Sequence, residues 1–492
     1  MLNTILSIDQ GTSSTRAVLY STKGEIIHIE QEIIKTIFPK NGWVEQDANE
    51  IWIKTLKVIK KNISYAKINN LKILSIGIAN QRETIVAWDK TNGKVLYNAI
   101  VWQDRRTKNK CDELINNNLS NIIYKKTGLL IDPYFSATKI HWILQNVEKA
   151  KKLSLSGKLA IGTIDSFLLF KITNGKSFFT DATNASRTSL YNIHTNQWYT
   201  ELLNIYNIPR SILPEVKDNI AEFGLSNLKF LDSQIPINAM IGDQQSAAIG
   251  QNCIRPGDTK ATFGTGCFIL LNTGNKGLKS KNKLITTIAY KIKNNTSYAL
   301  EGSIFNSGST MNWLKNELKI IDDINKTESL ASSIKDNNGV YFVPAFTGLG
   351  APHWNPDARG TIIGLTGSSG IAEIVRASLE AVAYQSCDLF DAMQSDGQVP
   401  KIVRVDGGMS KNDWLMQFLA NTSEKNIERS YVTETTSQGA AILSAIACGI
   451  LPSLQGASKF WKRSKKFSPK IDKNQIEKNK NGWKKAIKKS IL

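Results

Sequence analysis

The stretch ILSIDQGTSSTRAVLY, residues 5–20, joins two apolar runs through a turn of small hydroxylated residues. The apolar runs predict two strands, and GTSST between them predicts a tight hairpin turn. Such a turn presents backbone N–H groups and hydroxyls on one concave side, which suits phosphate oxygens, and Arg16 adds a positive charge. Asp9, at the end of the first strand, is suited to hold a divalent cation through water. An ordinary hairpin with a Ser- and Thr-rich turn is an equally good interpretation of this stretch alone.

The sequence around this hairpin predicts a mixed sheet covered by helices. A third strand (EIIHIEQEI), an amphipathic helix (ANEIWIKTLKVIKKNI) and a further strand (LKILSIGIA) follow in order. The second half repeats the plan, with strand, glycine turn and strand in DTKATFGTGCFILLN and a strand ending in a glycine turn in KIVRVDGG. The fold class is therefore predicted as α/β with two similar domains, 1–252 and 253–492, divided near the turn RPGD at 255–258. A cleft between two such lobes is a favoured place for a ligand.

The amino-acid composition indicates which partners and which cellular compartment to expect. The formal net charge of +20 is typical of a protein with an anionic partner. However, Lys and Asn are spread over the whole chain of 492 residues and form no basic stripe, so most of the excess positive charge is expected on solvated surface. Five scattered cysteines fit a reduced, cytoplasmic chain, and a secretory signal is not expected, because the first residues lack a basic segment followed by an apolar run. The longest apolar stretch, 439–454, is too short to span a bilayer and predicts a buried helix. The basic tail from Lys462 predicts a surface helix with a frayed end.

Two more glycine turns resemble the first hairpin in their setting. Gly264, Thr265 and Gly266 follow one strand, and Gly407 and Gly408 follow another. Each turn alone is weak evidence for phosphate binding, but three small-residue turns that each follow a strand favour it together. A P-loop is excluded at GKS, residues 175–177, because Phe170 stands where the upstream glycine is required. No GxGxxG follows a strand, which argues against a dinucleotide fold.

Polar and aromatic residues near other strand ends could bind a polyol. Asp243 in IGDQQSAAIG lies at a predicted strand-to-helix junction, where a simple helix cap is the alternative. Arg82 and Glu83 in NQRET form a charged pair at a strand end, which is more often structural, although guanidinium and carboxylate groups can also fork onto adjacent hydroxyls. Trp102 and Tyr134 could equally be core or surface aromatics.

Taken together, the motifs resemble the FGGY family of carbohydrate kinases over nearly the whole chain. The matching strings include SIDQGTSSTRAV, GWVEQD, IANQRET, YNAIVWQDRR, DATNASRT, GDQQSA, FGTGCF, VPAFTGLGAPHW and VDGGMSKN. Both patterns that define the family are met, one in YFSATKIHWILQN at 134–146 and one from GTIIGL at 360 to ASLE at 380. The resemblance implies two ribonuclease H-like domains of the actin and sugar kinase type. It also implies transfer of the γ-phosphoryl group of ATP to glycerol, giving sn-glycerol 3-phosphate, with Mg²⁺ as cofactor.

The resemblance further implies a role for individual residues. Asp243 would be the general base, and Asp9 and Asp243 would bind the metal ion. The glycerol site would comprise Arg82, Glu83, Trp102, Tyr134, Asp243, Gln244 and Phe268. The nucleotide site would comprise Thr12, Ser13, Ser14, Arg16, Thr265, Gly308, Asn312, Gly408 and Asn412. A homo-oligomer, dimer or tetramer, without membrane insertion or specific nucleic-acid binding, is also implied.

Some residues depart from the family pattern, and other functions stay open. Asn312 stands where a glutamine is usual in the nucleotide pocket. The segment SNLKFLDSQIP, 226–236, lacks the Gly-Gly-Arg element that binds fructose 1,6-bisphosphate in regulated members and contains no histidine, so weak or absent regulation is expected. The alternatives are a kinase for another small polyol or ketose of the same family, an actin-like scaffold that binds ATP without transferring it, and a nucleic-acid binder suggested by charge alone.

Overall fold

The structure is a computed structural model that describes residues 1–355, 357–470 and 473–491. Its first half contains strands that alternate with helices, as the hairpin and the helical periodicities predict. The strands of this half are β1 (Leu2–Gln10), β2 (Ser14–Ser21), β3 (Ile26–Ile33), β4 (Glu45–Gln46), β5 (Leu71–Asn80), β6 (Ile85–Asp89), β7 (Ala99–Ile100), β8 (Leu159–Thr163), β9 (Phe179–Asp181), β10 (Tyr191–Asn192), β11 (Gln197–Trp198), β12 (Glu215–Lys217), β13 (Ile220–Leu225) and β14 (Pro236–Gly242).

The second half contains the strands of the other large sheet. They are β15 (Asp258–Phe263), β16 (Cys267–Gly274), β17 (Ile285–Ile292), β18 (Asn295–Ile304), β19 (Tyr341–Val343), β20 (Thr361–Ile363), β21 (Ile402–Asp406), β22 (Asn426–Ser430) and β23 (Arg463–Phe467). We call the part of the chain built on the first sheet, residues 1–242, lobe I, and the part built on the second sheet, residues 258–491, lobe II.

Helices cover both sheets. In order along the chain they are α1 (Ala48–Ile68), α2 (Lys108–Asn116), α3 (Ser120–Thr127), α4 (Ser136–Asn146), α5 (Glu148–Leu155), α6 (Ile164–Ile172), α7 (Ala182–Ala185), α8 (Thr200–Ile205), α9 (Asp243–Gly250), α10 (Gly308–Asn316), α11 (Thr327–Ser332), α12 (Ile371–Ser395), α13 (Asp413–Ser423), α14 (Thr435–Ala447) and α15 (Lys473–Ile491). Short 3₁₀ turns lie at Arg210–Ile212, Ile324–Lys326, Gly408–Lys411 and Leu454–Lys459.

The two large sheets share one strand arrangement. In lobe I the order is β13-β14-β5-β1-β2-β3, where β1 pairs in parallel with β5 and antiparallel with β2. In lobe II the order is β17-β18-β16-β15-β21-β22-β23, where β15 pairs in parallel with β21 and antiparallel with β16. Both lobes therefore place a hairpin beside a parallel strand, which confirms the prediction of an α/β fold with two similar halves. The position of the domain division stays a prediction.

Helix α9, which directly follows the last strand of lobe I, and helix α14 of lobe II approach each other at close range. A Cβ atom added at Gly439 would lie 1.9 Å from the carbonyl oxygen of Ser246, and one added at Gly250 would lie 2.0 Å from that of Thr435. Only glycine allows the two backbones to approach so closely. Side chains of lobe I also reach α14, since the Ser7 hydroxyl donates to the Ser437 carbonyl oxygen at 2.7 Å.

The structure corrects the prediction for the basic tail. The tail is not only a frayed surface helix, because it supplies β23, which pairs antiparallel with β22, before α15 begins. Trp483 on α15 is 2% exposed, stacks on Tyr384 at 5.4 Å and donates its indole N–H to Asp388 at 2.8 Å. The high lysine content of this segment hid its apolar face. The apolar stretch 439–454 is also only partly helical, since α14 ends at Ala447.

The structure also shows the state of the cysteines and the character of the helices. All five cysteines, Cys111, Cys253, Cys267, Cys387 and Cys448, are free thiols. Within residues 1–355, 357–470 and 473–491, none of the helices combines the length and the apolar character that crossing a bilayer requires.

Candidate active site

The hairpin turn between β1 and β2 lies at the edge where the two lobes meet. Its backbone is closed by a bond from the Gly11 N–H to the Ser14 carbonyl oxygen at 2.9 Å. Thr12, Ser13 and Ser14 form the turn, with Ser13 the most exposed of the three. Hydroxyls and backbone N–H groups are thus grouped at one place, as a phosphate-binding turn requires.

Charged groups surround the base of this hairpin. Asp9 and Arg16 are paired across β1 and β2, and the Arg16 guanidinium lies 2.6 Å from the carboxylate of Glu434, at the start of α14 in lobe II. Burial raises the pKa of Asp9 to about 7, a rise that Arg16 opposes and the carboxylates of Asp243 and Glu434 reinforce. Asp9 is therefore a carboxylate that a bound cation would strongly stabilise in its charged form.

Three glycine-rich segments of lobe II lie close to one another. The Gly308 N–H donates to the Gly264 carbonyl oxygen at 2.9 Å, and a Cβ at Gly308 would lie 2.6 Å from that oxygen. The Thr265 carbonyl oxygen accepts from the N–H groups at the start of α10. Gly407 has φ +87°, and a Cβ there would lie 2.4 Å from the Phe263 carbonyl oxygen. The sequence-predicted nucleotide residues Thr265, Gly308 and Gly408 are brought into one neighbourhood.

Two further predicted nucleotide residues lie beside these turns. Asn312 is exposed on α10, one turn after Gly308. Asn412 is the N-cap residue of α13, where its side-chain oxygen accepts from the Leu415 N–H at 2.8 Å. The side-chain NH₂ of the same Asn412 amide donates to the Thr327 hydroxyl at 3.5 Å. Both residues stay predictions as nucleotide contacts.

Asp243 is the first residue of α9 and directly follows β14, which confirms the predicted strand-to-helix junction. Gly242 occupies the N-cap position, so Asp243 is not the helix cap. Its carboxylate accepts from the Gln244 N–H at 2.6 Å and lies 3.1 Å from Arg82 Nε. The side chain of Asp243 is a quarter exposed, so a proton or a metal ion can reach it.

Three aromatic rings form a wall next to Asp243 and Arg82. Trp102 meets Tyr134 edge to face at 5.5 Å and meets Phe268, from lobe II, at 6.0 Å. The Trp102 indole N–H donates to the Thr12 hydroxyl at 2.9 Å, which ties the wall to the hairpin turn. The structure thus resolves the open interpretation of Trp102 and Tyr134, since both are half-buried members of one cluster with Phe268.

Arg82 and Glu83 are both buried, but each lies closer to a third residue than the two lie to each other. They are 4.0 Å apart, whereas Arg82 grips the carboxylate of Glu301 through two bonds of 2.6 and 3.2 Å. Glu83 is paired with Arg187 Nε. Glu83 also has φ +58°, a region that non-glycine residues rarely adopt and that is concentrated at functional sites.

Sequence reasoning missed Arg187 and Glu301. Arg187 lies within the quoted string DATNASRT, and Glu301 lies within the predicted strand NTSYALEGSI. A charged residue directly after the apolar run YAL of a predicted strand was the available signal for Glu301, since such residues are almost never buried unpaired. The two positions are more than 100 residues apart, so spacing alone could not have linked them.

Gln244 is held by a buried lysine of lobe II. Lys260 donates from Nζ to the Gln244 side-chain oxygen. This bond leaves the amide N–H groups of Gln244 as its available side-chain donors. Burial lowers the pKa of Lys260, an effect that the nearby carboxylates of Asp406 and Asp243 oppose.

The donor set fits a hard divalent cation. Asp9 and Asp243 are close enough to influence each other electrostatically, and Mg²⁺ typically uses one or two carboxylates together with water and substrate phosphates. Groups of three or more His, Cys, Asp and Glu side chains suited to a metal are not found among the described residues. The arrangement therefore fits an ion that arrives with a phosphate ligand.

Comparison with protein families gives two matches that together cover most of the chain. Residues 4–250 match the N-terminal domain, and residues 259–448 the C-terminal domain, of the FGGY family of carbohydrate kinases. A glycerol kinase of Marinomonas sp. (strain MWYL1) is 49% identical over 487 residues, covering 99% of each chain.

Solved structures agree with these matches. The structure is similar to that of Plasmodium falciparum glycerol kinase with ADP, with a TM-score of 0.95, 40% identity and coverage of 100% of this chain and 99% of that one. A xylulose kinase from Lactobacillus acidophilus has a TM-score of 0.89 at 23% identity, covering 99% and 97% of the two chains, and shares the fold.

Proposed function

The chain belongs to the FGGY family of carbohydrate kinases, and we propose that it transfers the γ-phosphoryl group of ATP to glycerol, giving sn-glycerol 3-phosphate. The identity to glycerol kinases over nearly the whole chain supports this assignment. The observation that carries it is the aromatic wall of Trp102, Tyr134 and Phe268 beside the Arg82 and Asp243 pair. Three bulky rings leave room for a short carbon chain, while the charged pair supplies partners for its hydroxyls.

Arg82 and Glu83 would bind the hydroxyls that do not react. A guanidinium donates and a carboxylate accepts, so together they match a diol. Gln244, oriented by Lys260, would add donors from the opposite side. Holding glycerol in this way supplies positioning, which phosphoryl transfer requires more than covalent chemistry.

The nucleotide would lie between the hairpin of lobe I and the glycine turns of lobe II. Thr12, Ser13 and Ser14 would contact the phosphates through N–H groups and hydroxyls, and Arg16 would add a positive charge. From lobe II, the residues proposed to contact the nucleotide are Thr265, Gly308, Asn312, Gly408 and Asn412. Closure of the lobes would exclude water, which could otherwise accept the phosphoryl group.

Asp243 would act as general base for the attacking hydroxyl. Its carboxylate accepts the proton as the oxygen attacks the γ-phosphorus, and Arg82 stabilises its negative charge from 3.1 Å. Mg²⁺, when bound, neutralises charge on the transferred phosphoryl group, and Asp9 and Asp243 are the residues that would hold it.

A coupled assay of ADP formation tests the proposal. The purified chain with ATP and Mg²⁺ is offered glycerol, xylulose, ribulose and a longer polyol at equal concentrations, and the product is scored with a dehydrogenase specific for sn-glycerol 3-phosphate. We expect glycerol to have the highest kcat/KM. A higher kcat/KM for a pentose would show that the chain is a kinase for another substrate of the family. ATP binding without phosphorylation of any acceptor would favour an actin-like scaffold that binds ATP without transferring it.

Several accompanying features are part of the same proposal. We infer a cytoplasmic enzyme that forms a homo-oligomer, dimer or tetramer, with the domains divided near residue 252. The free cysteines fit a reducing compartment. Sedimentation of the purified chain measures the oligomeric state directly.

A further inference from the structure

Four buried charges form a network that joins the two lobes beneath the proposed glycerol site. Glu301, on strand β18 of lobe II, lies between two arginines of lobe I. Arg82 binds it through Nη1 at 2.6 Å and Nη2 at 3.2 Å, and Arg187 binds it through Nη2 at 3.0 Å. Arg187 Nε also donates to Glu83, so the order is Arg82, Glu301, Arg187, Glu83.

The network is almost completely removed from water. The side chains of Arg82 and Glu83 are 2% exposed, and those of Arg187 and Glu301 are 0% exposed. Burial opposes ionisation of Glu301, yet the two arginines lower its pKa to about 2. Removing one member of a buried pair leaves an uncompensated charge, so each of these side chains depends on the others.

Arg187 also supports the aromatic wall. Its guanidinium carbon lies 5.3 Å from the centre of the Tyr134 ring and 5.2 Å from that of Phe135. Its Nη1 atom is buried and has no hydrogen-bond partner among the described residues. A buried donor of this kind normally bonds to an ordered water or a ligand, which is what a position bordering a binding site provides.

We propose that Arg187 is a positioning residue for the acceptor site: it orients the Glu83 carboxylate and the Tyr134 ring, and through Glu301 it couples them to Arg82. This inference rests on the proposed function, because Glu83, Tyr134 and Arg82 are the groups assigned to glycerol. Arg187 acts through these side chains.

The geometry explains why an arginine is needed. Its planar fork places Nε on Glu83 and Nη2 on Glu301 at the same time, while its flat face meets Tyr134. A lysine keeps the charge and can reach one carboxylate at a time. A methionine fills the space and leaves both carboxylates without this partner.

The test compares Arg187→Lys and Arg187→Met with a matched control, Arg376→Lys. Arg376 is a buried arginine of lobe II that pairs with Glu380 at 2.9 Å, away from the proposed site. For each purified variant, KM for glycerol, KM for ATP, kcat and the melting temperature are measured. We expect Arg187→Met to raise KM for glycerol about 10- to 100-fold, the effect of losing a hydrogen bond to a charged group.

The pattern across variants distinguishes positioning from a general loss of structure. We expect Arg187→Lys to restore part of the glycerol affinity that Arg187→Met loses. In both Arg187 variants KM for ATP should stay within about twofold of the wild-type value, a difference well under the free energy of one hydrogen bond. Arg376→Lys should lower the melting temperature without changing KM for glycerol. Equal KM values for glycerol in all variants, or parallel changes in both KM values, would overturn the inference. If Arg187→Met does not fold, Glu301→Gln, which keeps shape and removes charge, is measured in its place with the same expected KM shift.

Failure of this inference differs from failure of the proposed function. A wild-type chain that does not phosphorylate glycerol contradicts the function itself, whatever the variants do. A wild-type chain that does phosphorylate glycerol, with an Arg187→Met variant of unchanged KM, contradicts only the role of Arg187.

Discussion

At the scale of single residues, the proposed mechanism makes the reaction depend on the charge of Asp243. Its carboxylate lies 3.1 Å from Arg82 Nε and accepts the Gln244 N–H, so its orientation is set before substrate binds. Asp243→Asn keeps the size of the side chain and removes the group that accepts a proton. We expect kcat to fall by about 10²–10⁴ with little loss of folding stability. Kinetics and thermal melting of the variant check both values.

The control for this prediction is Asp232→Asn, on the exposed connection between β13 and β14, where the side chain is 81% exposed. This variant should keep its full activity. Unchanged turnover of Asp243→Asn would contradict the role of Asp243 as general base.

A second residue-scale prediction concerns pH and stability. Asp181 is fully buried, and burial, followed by the neighbouring Asp165 carboxylate, raises its pKa to about 7. A carboxyl group whose pKa is raised by folding binds more protons when folded, so its contribution to stability is lost as pH rises from about 4 to 7. Asp165→Asn removes the neighbouring charge. We expect the unfolding free energy of this variant to fall less between pH 5 and 8 than that of the wild type.

Urea denaturation at a series of pH values measures this difference. Parallel curves for wild type and Asp165→Asn would show that the two carboxyl groups do not interact. The exposed Asp232→Asn variant should follow the wild-type curve.

At the scale of elements, the contact between α9 and α14 is made by backbone. Gly439→Ala would place a Cβ 1.9 Å from the Ser246 carbonyl oxygen and force the helices apart. We expect a destabilisation of about 1–3 kcal/mol, typical of overpacking, and reduced activity because α9 begins with Asp243. Gly367→Ala, where no atom lies within 4 Å of the added Cβ, is the control and should behave as wild type. Equal stability of the two variants would contradict the prediction.

The connection between β13 and β14 gives a second element-scale prediction. Residues 226–236 contain one basic side chain, Lys229, and one acidic side chain, Asp232, so they offer little positive charge to a bisphosphate. We expect activity to be unchanged by fructose 1,6-bisphosphate at millimolar concentration. Inhibition that disappears in Lys229→Ala would contradict this expectation.

Elements were predicted from sequence more successfully than the contacts between them. The strands β1, β2, β5 and β15 follow from apolar runs bounded by small residues, and α1 from its helical period. The edge strand β23 was missed, because RSKKF is basic and only its last residue, Phe467, is apolar and buried. Likewise Arg187 and Glu301 join the candidate site through folding alone, since their partners come from distant parts of the chain.

At the scale of the whole molecule, the proposed acceptor site draws its residues from both lobes. Trp102 of lobe I contacts Phe268 of lobe II, and Arg82 binds Glu301 across the same boundary. A ligand that orders this boundary makes binding of a second ligand easier. We expect glycerol and a non-hydrolysable ATP analogue together to stabilise the chain by about 1–3 kcal/mol more than the sum of their separate effects.

Melting temperatures with each ligand alone and with both, at fixed multiples of their dissociation constants, check this coupling. A ligand at 100 times its Kd adds about 2.7 kcal/mol by mass action, which sets the additive baseline. Strictly additive stabilisation would contradict coupling between the lobes. Arg187→Met should weaken the coupling, since it removes one side of the Glu301 pairing.

The glycine contact between α9 and α14 also limits how the lobes can move. Two helices whose backbones touch have no side chains between them to compress or slide over, so separation or translation would break the contact, whereas rotation about it preserves the distance. The contact is thus a pivot. Spectroscopic labels placed beside Gly250 and Gly439 should keep a constant separation through the catalytic cycle, while labels at the outer edges of β3 and β17 should swing through the largest arcs.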